Sequence, residues 1–267
     1  SNGSTLKENG GWVAQTYFGK GISSGAINVN KCFSEGDIDN NSGGIIGYGS
    51  FASMSGGTVT INECYSIGTI GELAGGIFGL YNGIEMSGGS ISVSECYSTG
   101  IISGQFSGGI FGFGNGYLMS GGSISVSDCY STGELSGESV GGIVGRSFCD
   151  GMNNLSILNT IKNCYSTGNI TNKQSGGICA GYLASNALKG TLSIENCYSL
   201  GKIEGEDSGG IIGSNSGFNA DTFNVVIDLK NSYSVGNVIG VNAGGIYGPN
   251  KNIGTETNCI SEGNNTW

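Results

Sequence analysis

The sequence predicts an all-β fold, a single parallel β-solenoid (β-helix) of about eight coils with three short strands per coil. Three observations predict it. A Cys-Tyr-Ser anchor recurs at Cys32, Cys64, Cys96, Cys129, Cys164, Cys197, Ser232 and Cys259, at near-equal intervals until a shorter last step. A Gly-Gly-Ile follows every anchor but the last, ending at Ile45, Ile77, Ile110, Ile143, Ile178, Ile211 and Ile246. The segments leading into the anchors alternate apolar and small polar residues, and no long stretch carries a helical stripe. Self-similarity at a period of 20–50 residues marks a repeat architecture, in which stacking buries what one repeat cannot. A β-propeller blade needs more residues per repeat, so that fold ranks below.

Each element follows from its residues. Before the anchor, "GSISVSEC" puts Ile91 and Val93 on one face and Ser92 and Ser94 on the other. Period-2 alternation of this kind is a half-buried strand. After the anchor an apolar position recurs at Ile38, Ile70, Ile102, Leu135, Ile170, Ile203 and Val238, and predicts a second strand. The Gly-Gly-Ile segment is read as the third. The residue after its isoleucine is apolar too (Ile46, Phe78, Phe111, Val144, Cys179, Ile212, Tyr247), which requires cover on both faces, from the long loops or from another subunit. Coils stack at about 4.8 Å, so eight give a rod roughly 38 Å long. The recurrent glycines are expected at corners with positive φ. As domains, 1–267 is one solenoid: 1–31 a half-coil and lead-in, 32–258 seven repeats, 259–267 a closing half-coil.

The columns supply the candidate sites. The cysteines Cys32, Cys64, Cys96, Cys129, Cys164, Cys197 and Cys259 read as small buried residues, since Ser232 replaces one. In-register parallel strands rarely give disulfide geometry along such a ladder. Cys149 and Cys179, on variable segments of neighbouring coils, are a candidate disulfide. Beside the cysteines run Phe33, Tyr65, Tyr97, Tyr130, Tyr165, Tyr198 and Tyr233. Outward, they are a platform for sugar rings or another molecule; inward, a core stack. Alternation sets them opposite the cysteines, but a bend before the anchor leaves the sign open, and the number of rings favours the core. Glu63, Glu95 and Asp128 share one column and are a weak Ca²⁺ candidate. A solvated corner is the favoured reading, because the column continues as Asn163, Asn196, Asn231 and Asn258.

Charge and composition exclude whole classes. The net charge is −10, the basic residues never cluster, and Arg146 is the only arginine. Nucleic-acid backbones and anionic membrane surfaces need basic patches, and no segment is apolar enough to span a bilayer. The absence of histidine removes Ser-His-Asp and Cys-His nucleophiles and histidine-held metals. No cofactor is expected.

"CYSTGELSGESVGGIVG" (129–145), with "NCYSTGNITNKQSGGICAG" and "NSYSVGNVIGVNAGGIYG", resembles the GLUG-motif repeat, which pairs N-x-Y-x-x-G with G-G-L/I-V-G. The match runs from about Gly10 to Gly263, departing at Ala180 and in the length of the loops. The resemblance implies a right-handed solenoid of the adhesin type, used for adhesion or spacing, and carries over no catalytic residue. The expected function is therefore a non-enzymatic extracellular structural solenoid, a fibre subunit or adhesin stalk, with a carbohydrate-binding or carbohydrate-active β-helix as the alternative. Sequons at Asn2, Asn40, Asn154, Asn169 and Asn264 agree with secretion. Gly10, Gly11 and Trp12 match a Gly-Gly-Ile half, and Cys259 to Trp267 begins with an anchor half. The two ends predict head-to-tail homopolymers, with surface glycans as the other expected partner.

Overall fold

The computed structural model describes residues 4–252 and 254–263. Among them it has sixteen strands and no helix. In chain order they are β1 (Ala26–Asn30), β2 (Phe33–Ser34), β3 (Ser55–Asn62), β4 (Tyr65–Ser66), β5 (Ser87–Ser94), β6 (Tyr97–Ser98), β7 (Gly121–Ser127), β8 (Tyr130–Ser131), β9 (Asn153–Lys162), β10 (Tyr165–Ser166), β11 (Lys189–Glu195), β12 (Tyr198–Ser199), β13 (Val225–Lys230), β14 (Tyr233–Ser234), β15 (Thr255–Thr257) and β16 (Ile260–Ser261). The odd strands form one eight-stranded sheet and the even strands another, each in strict succession. Every pairing is parallel, Val59 on Ile91 on Ile124 and Tyr65 on Tyr97 on Tyr130, with register shifts only near the starts of β3, β5 and β11. This is a β-solenoid. Its six inner turns have a neighbour on each side, and an open rung lies at either end.

The second and third strands of the expected coil are both replaced by single bridges, and the second strand of each coil is instead the aromatic-Ser pair of the anchor. Residues of the Ile38, Gly43 and Ile46 columns each meet their counterpart one coil on, such as Ile38 with Ile70, Gly43 with Gly75 and Ile46 with Phe78. Ile45 and Ile46 are both fully buried. Two successive inward side chains are incompatible with a straight strand, whose residues alternate, so Gly-Gly-Ile forms a corner. The isoleucines at 45, 77, 110, 143, 178 and 211 are fully buried as expected, while Ile246 is only partly covered, in the last rung.

The motif glycines are not at positive φ, contrary to expectation. They are there because backbones pass too closely for a side chain. A Cβ on Gly142 would lie 2.1 Å from the Gly177 carbonyl oxygen, and one on Gly100 1.8 Å from that of Gly68. Positive φ falls instead on the residue before each anchor: Lys31, Glu63, Glu95, Asp128, Asn163, Asn196, Asn231 and Asn258, at 48–55°. Asn and Asp tolerate this left-handed conformation best after glycine.

The interior has two compartments. The larger holds the isoleucines, the cysteines and the inward residues of the odd strands. The smaller is the column Leu6, Ile38, Ile70, Ile102, Leu135, Ile170, Ile203 and Val238 with a few neighbours. Between them the coil pinches where Ser66, Ser166, Ser199 and Ser234 face the second glycine of a neighbouring corner. Seven serines of this column, Ser34 to Ser234, are fully buried with hydroxyls that have no partner. The long loops fold over the Ile46 column, as one of the two expected covers. All four methionines, Met54, Met86, Met119 and Met152, stand in one buried ladder there, with Phe51 and Phe148.

At the first rung, Leu6 and Ala14 bridge to Ile38 and Ile46, so with β1 the lead-in builds a whole rung rather than half of one. The pairing corrects one assignment. Ala14 occupies the Ile46 column, so Gly11 stands on Gly43 and Val13, not Trp12, takes the isoleucine position. Asn2, Asn264 and Trp267 lie outside the described residues.

Candidate binding surface

The columns at the anchor resolve at one corner. Ile61 points inward, the left-handed Glu63 turns the chain, and Cys64 points inward again after two outward residues. Its thiol donates to the Asn62 carbonyl at 3.3 Å, two residues back across the corner. Cys129 and Cys164 do the same to Ser127 and Lys162 at 3.1 and 3.2 Å, and Ser232 reproduces the bond to Lys230 at 2.8 Å. The thiols thus close the corner. All nine cysteines are free, which includes the candidate pair Cys149 and Cys179. Cys149 is in a turn with φ 58°, and Cys179 stands in the bridge column between Val144 and Ile212. Burial pushes both thiols well above their ordinary range.

With the cysteines inward, the aromatic column faces solvent, which corrects the expectation of a core stack. Six successive ring spacings of 4.8–5.3 Å, with planes within 10° of parallel, join Phe33 to Tyr233 in one unbroken ladder. Phe33 and Tyr233 at its ends are 45% and 40% exposed. At these spacings coplanar rings would bring edges inside the carbon contact distance of about 3.5–4.0 Å. The rings are therefore stacked face over face rather than side by side in one plane. Each covers much of its neighbour's face and presents an edge and a hydroxyl outward. The stack ends at Ile260, and a hollow of about 410 Å³ lies beside Tyr233 there.

The corner carboxylates do not gather. Glu63 pairs with Lys31 at 3.6 Å, and Asp128 accepts from the Asn163 amide at 3.0 Å. The ladder continues from Asn196 to Asn163 and from Asn258 to Asn231. Among the described residues no three acids, cysteines or histidines form a metal-holding group. Of the sequons, Asn40 and Asn169 are exposed, while the Asn154 amide nitrogen donates to the Ser120 carbonyl at 2.8 Å.

The turns opposite carry a second aromatic line that the repeat does not dictate. Tyr17, Tyr48, Tyr81 and Phe113 succeed one another edge-to-face, at centroid distances of 5.2, 6.4 and 5.6 Å. Small residues make room for them. A Cβ on Gly49 would be 2.6 Å from the Tyr17 ring, and one on Gly114 2.4 Å from the Tyr81 ring. Here a ring rests on backbone, and its face is not taken by an identical ring above. A cavity of about 140 Å³ opens among Tyr17, Tyr48 and Tyr81, with Lys20 and Glu85 at its edge. The Tyr17 hydroxyl donates to that of Tyr48 at 3.3 Å, and this bond with burial pushes Tyr48 up to about 12. Further along, Arg146 lies against Phe106 and Tyr182, and Asp150 is 8% exposed. Burial pushes Asp150 up to about 6 against the opposing pull of the Asn186 amide and Arg146. Sequence reasoning passed over this line because its residue types change from rung to rung; the available signal was that Tyr17, Tyr48, Tyr81 and Phe113 step by 31, 33 and 32 residues, close to the anchor period.

No helix among the described residues is long and apolar enough to cross a membrane. Comparison of the chain with family models, with curated proteins and with solved structures found no match.

Proposed function

We propose that the chain is a non-enzymatic extracellular structural solenoid, a stalk or fibre module with a GLUG-like repeat, whose turn face contacts a partner. One contrast supports this reading. The recurring residues are consumed by packing: cysteines close corners, glycines admit neighbouring backbones, and the tyrosine ladder covers its own ring faces. The turn-face aromatics occur in only some rungs and keep an edge-to-face arrangement that a partner can use. Among the described residues the outer rungs each have a free edge, which supports stacking on a further coil, as in a head-to-tail fibre. The test is light scattering and electron microscopy of the purified chain against forms lacking residues 1–13 or 259–267. Filaments lost on truncation support the fibre form; a monomer at high concentration leaves only the stalk.

A second reading, carbohydrate binding, is favoured by the tyrosine-lined cavity on the turn face. Aromatic rings with polar tips suit ligands with one apolar and one wet side. A glycan array separates the two: binding abolished by Tyr81→Ala supports it, and no glycan binding sinks it.

A further inference from the structure

Arg146 is the one arginine of a chain with net charge −10. It stands on the turn of the fifth rung. Its guanidinium carbon is 4.7 Å from the Phe106 centroid in the rung before and 3.9 Å from the Tyr182 centroid in the rung after. Two rings thus hold the cation by its faces. A guanidinium carries its five donors in its plane, so stacking leaves the edge free.

That edge has no partner among the described residues. The five ion pairs all use lysines. Asp150, four residues on, accepts from the Asn186 amide at 3.1 Å, and Glu138 pairs with Lys173 at 3.4 Å. The next rungs put Gly181 and Ser214 in the Arg146 column itself, so Phe106 and Tyr182 are the rings that flank the guanidinium.

We infer that Arg146, flanked by Phe106 and Tyr182, is a subsite for a single carboxylate carried on a sugar ring. This rests on the carbohydrate-binding reading above. The planar fork suits a carboxylate, which it can bind through two parallel hydrogen bonds. The aromatic line from Tyr17 to Phe113 leads to it along the axis, which fits an extended neutral chain. The charge around the line selects the ligand further. Glu85 and Asp150 stand beside it, and Arg146 is its only arginine, so a chain acidic at every unit meets carboxylates. A sparsely charged polysaccharide, mainly neutral with isolated uronate groups, meets Arg146 at one end of the line, with Lys20 the other cation, at the Tyr17 end.

The experiment is calorimetry with three probes: a neutral xylo-oligosaccharide, the same oligosaccharide with one glucuronate side group, and an oligogalacturonate. The singly charged probe is expected to bind at least about tenfold tighter than the neutral one, the gain of a charge-assisted bidentate contact. Arg146→Met should erase that difference, and Arg146→Lys should restore only part of it. Tyr182→Ala should weaken both xylan probes. Circular dichroism checks that each variant is folded; if Arg146→Met is not, Arg146→Lys and the salt dependence of the wild-type preference decide. Equal binding of the first two probes, or a preference that survives Arg146→Met, overturns the subsite and leaves carbohydrate binding standing. Tightest binding of the oligogalacturonate overturns the sparse-charge selection. No binding of any probe overturns both readings.

Discussion

At the residue scale the left-handed corner before each anchor sets the direction of everything after it. A non-glycine residue there costs about 1–2 kcal/mol, least for Asn and Asp. Glu95 is exposed with φ 53°, so Glu95→Asn should stabilise the fold by about 0.5–1 kcal/mol, read as a higher midpoint in urea. An unchanged or lower midpoint would show that the corner carries no such strain. Asp150 works in the opposite sense. Its folded pKa, about 6, lies above the ordinary 3.8, so the folded state holds the proton more tightly. Stability is full below about pH 4, declines as pH rises towards 6, and is flat above. Asp150→Asn should remove that slope and add about 1–3 kcal/mol at pH 7, since a tenfold change in proton affinity corresponds to about 1.4 kcal/mol. Denaturant melts at pH 4 and pH 7 check it; parallel losses in both proteins would refute it. The corner also explains what the sequence hid. The period placed each residue in its column, but not which way the column faced. One left-handed residue adds a position to the alternation, so Cys64 points in and Tyr65 out, and the ladder expected in the core lies on the surface.

At the scale of elements the solenoid is built from strands and corners of unequal tolerance. Odd strands were legible from alternation, because burial of Val59 and Ile61 against solvation of their neighbours is a period-2 pattern. The Gly-Gly-Ile corner was not, since a short apolar run bounded by glycine reads equally as a strand. Its glycines are steric, so Gly142→Ala should cost about 3 kcal/mol or more, with the new methyl 2.1 Å from the Gly177 oxygen and no flexible side chain to yield. Gly83, Gly116 and Gly151 sit on turns with φ 64–71°, and for them the cost is conformational. The methionine ladder was visible too, since its four members step by 32, 33 and 33 residues, close to the anchors, yet flexible Met carries little directional signal. Met119→Ala should destabilise by about 2–5 kcal/mol, as a buried large-to-small change. A much smaller loss by thermal melt would mean that the loop layer is not part of the cooperative core. Asn159 is a polar break in the interior column, where its carbonyl oxygen accepts from the Ile124 amide at 2.7 Å. A periodic pattern cannot foretell such an exception.

For the whole molecule, each rung contacts only its neighbours, so stability approximates a sum of rung and interface terms. Removing residues 65–96, one full period from anchor to anchor, should leave a shorter folded rod with the same circular dichroism per residue and a single melting transition. Removing 65–80 should not, because the remaining half-coil cannot keep the columns in register. If the two deletions behave alike, the coil is not the unit of folding. The period, the fold class and the core columns were all legible because every rung solves the same packing problem. The turn-face line was not, because its residue types change from rung to rung although its step stays close to the period.

The in-register stacking of near-identical rungs reaches beyond the protein to the gene that encodes it. Successive blocks of codons specifying almost the same residues can misalign during recombination, and an unequal exchange then adds or deletes whole coils. Such a change leaves every corner intact, so rod length can vary by inheritance without the fold being tested anew. On the proposed subsite, a substitution at Arg146 or Tyr182 would alter recognition without touching the core columns. Reach is thereby set by copy number, while point changes on the turn face leave the length of the rod as it was.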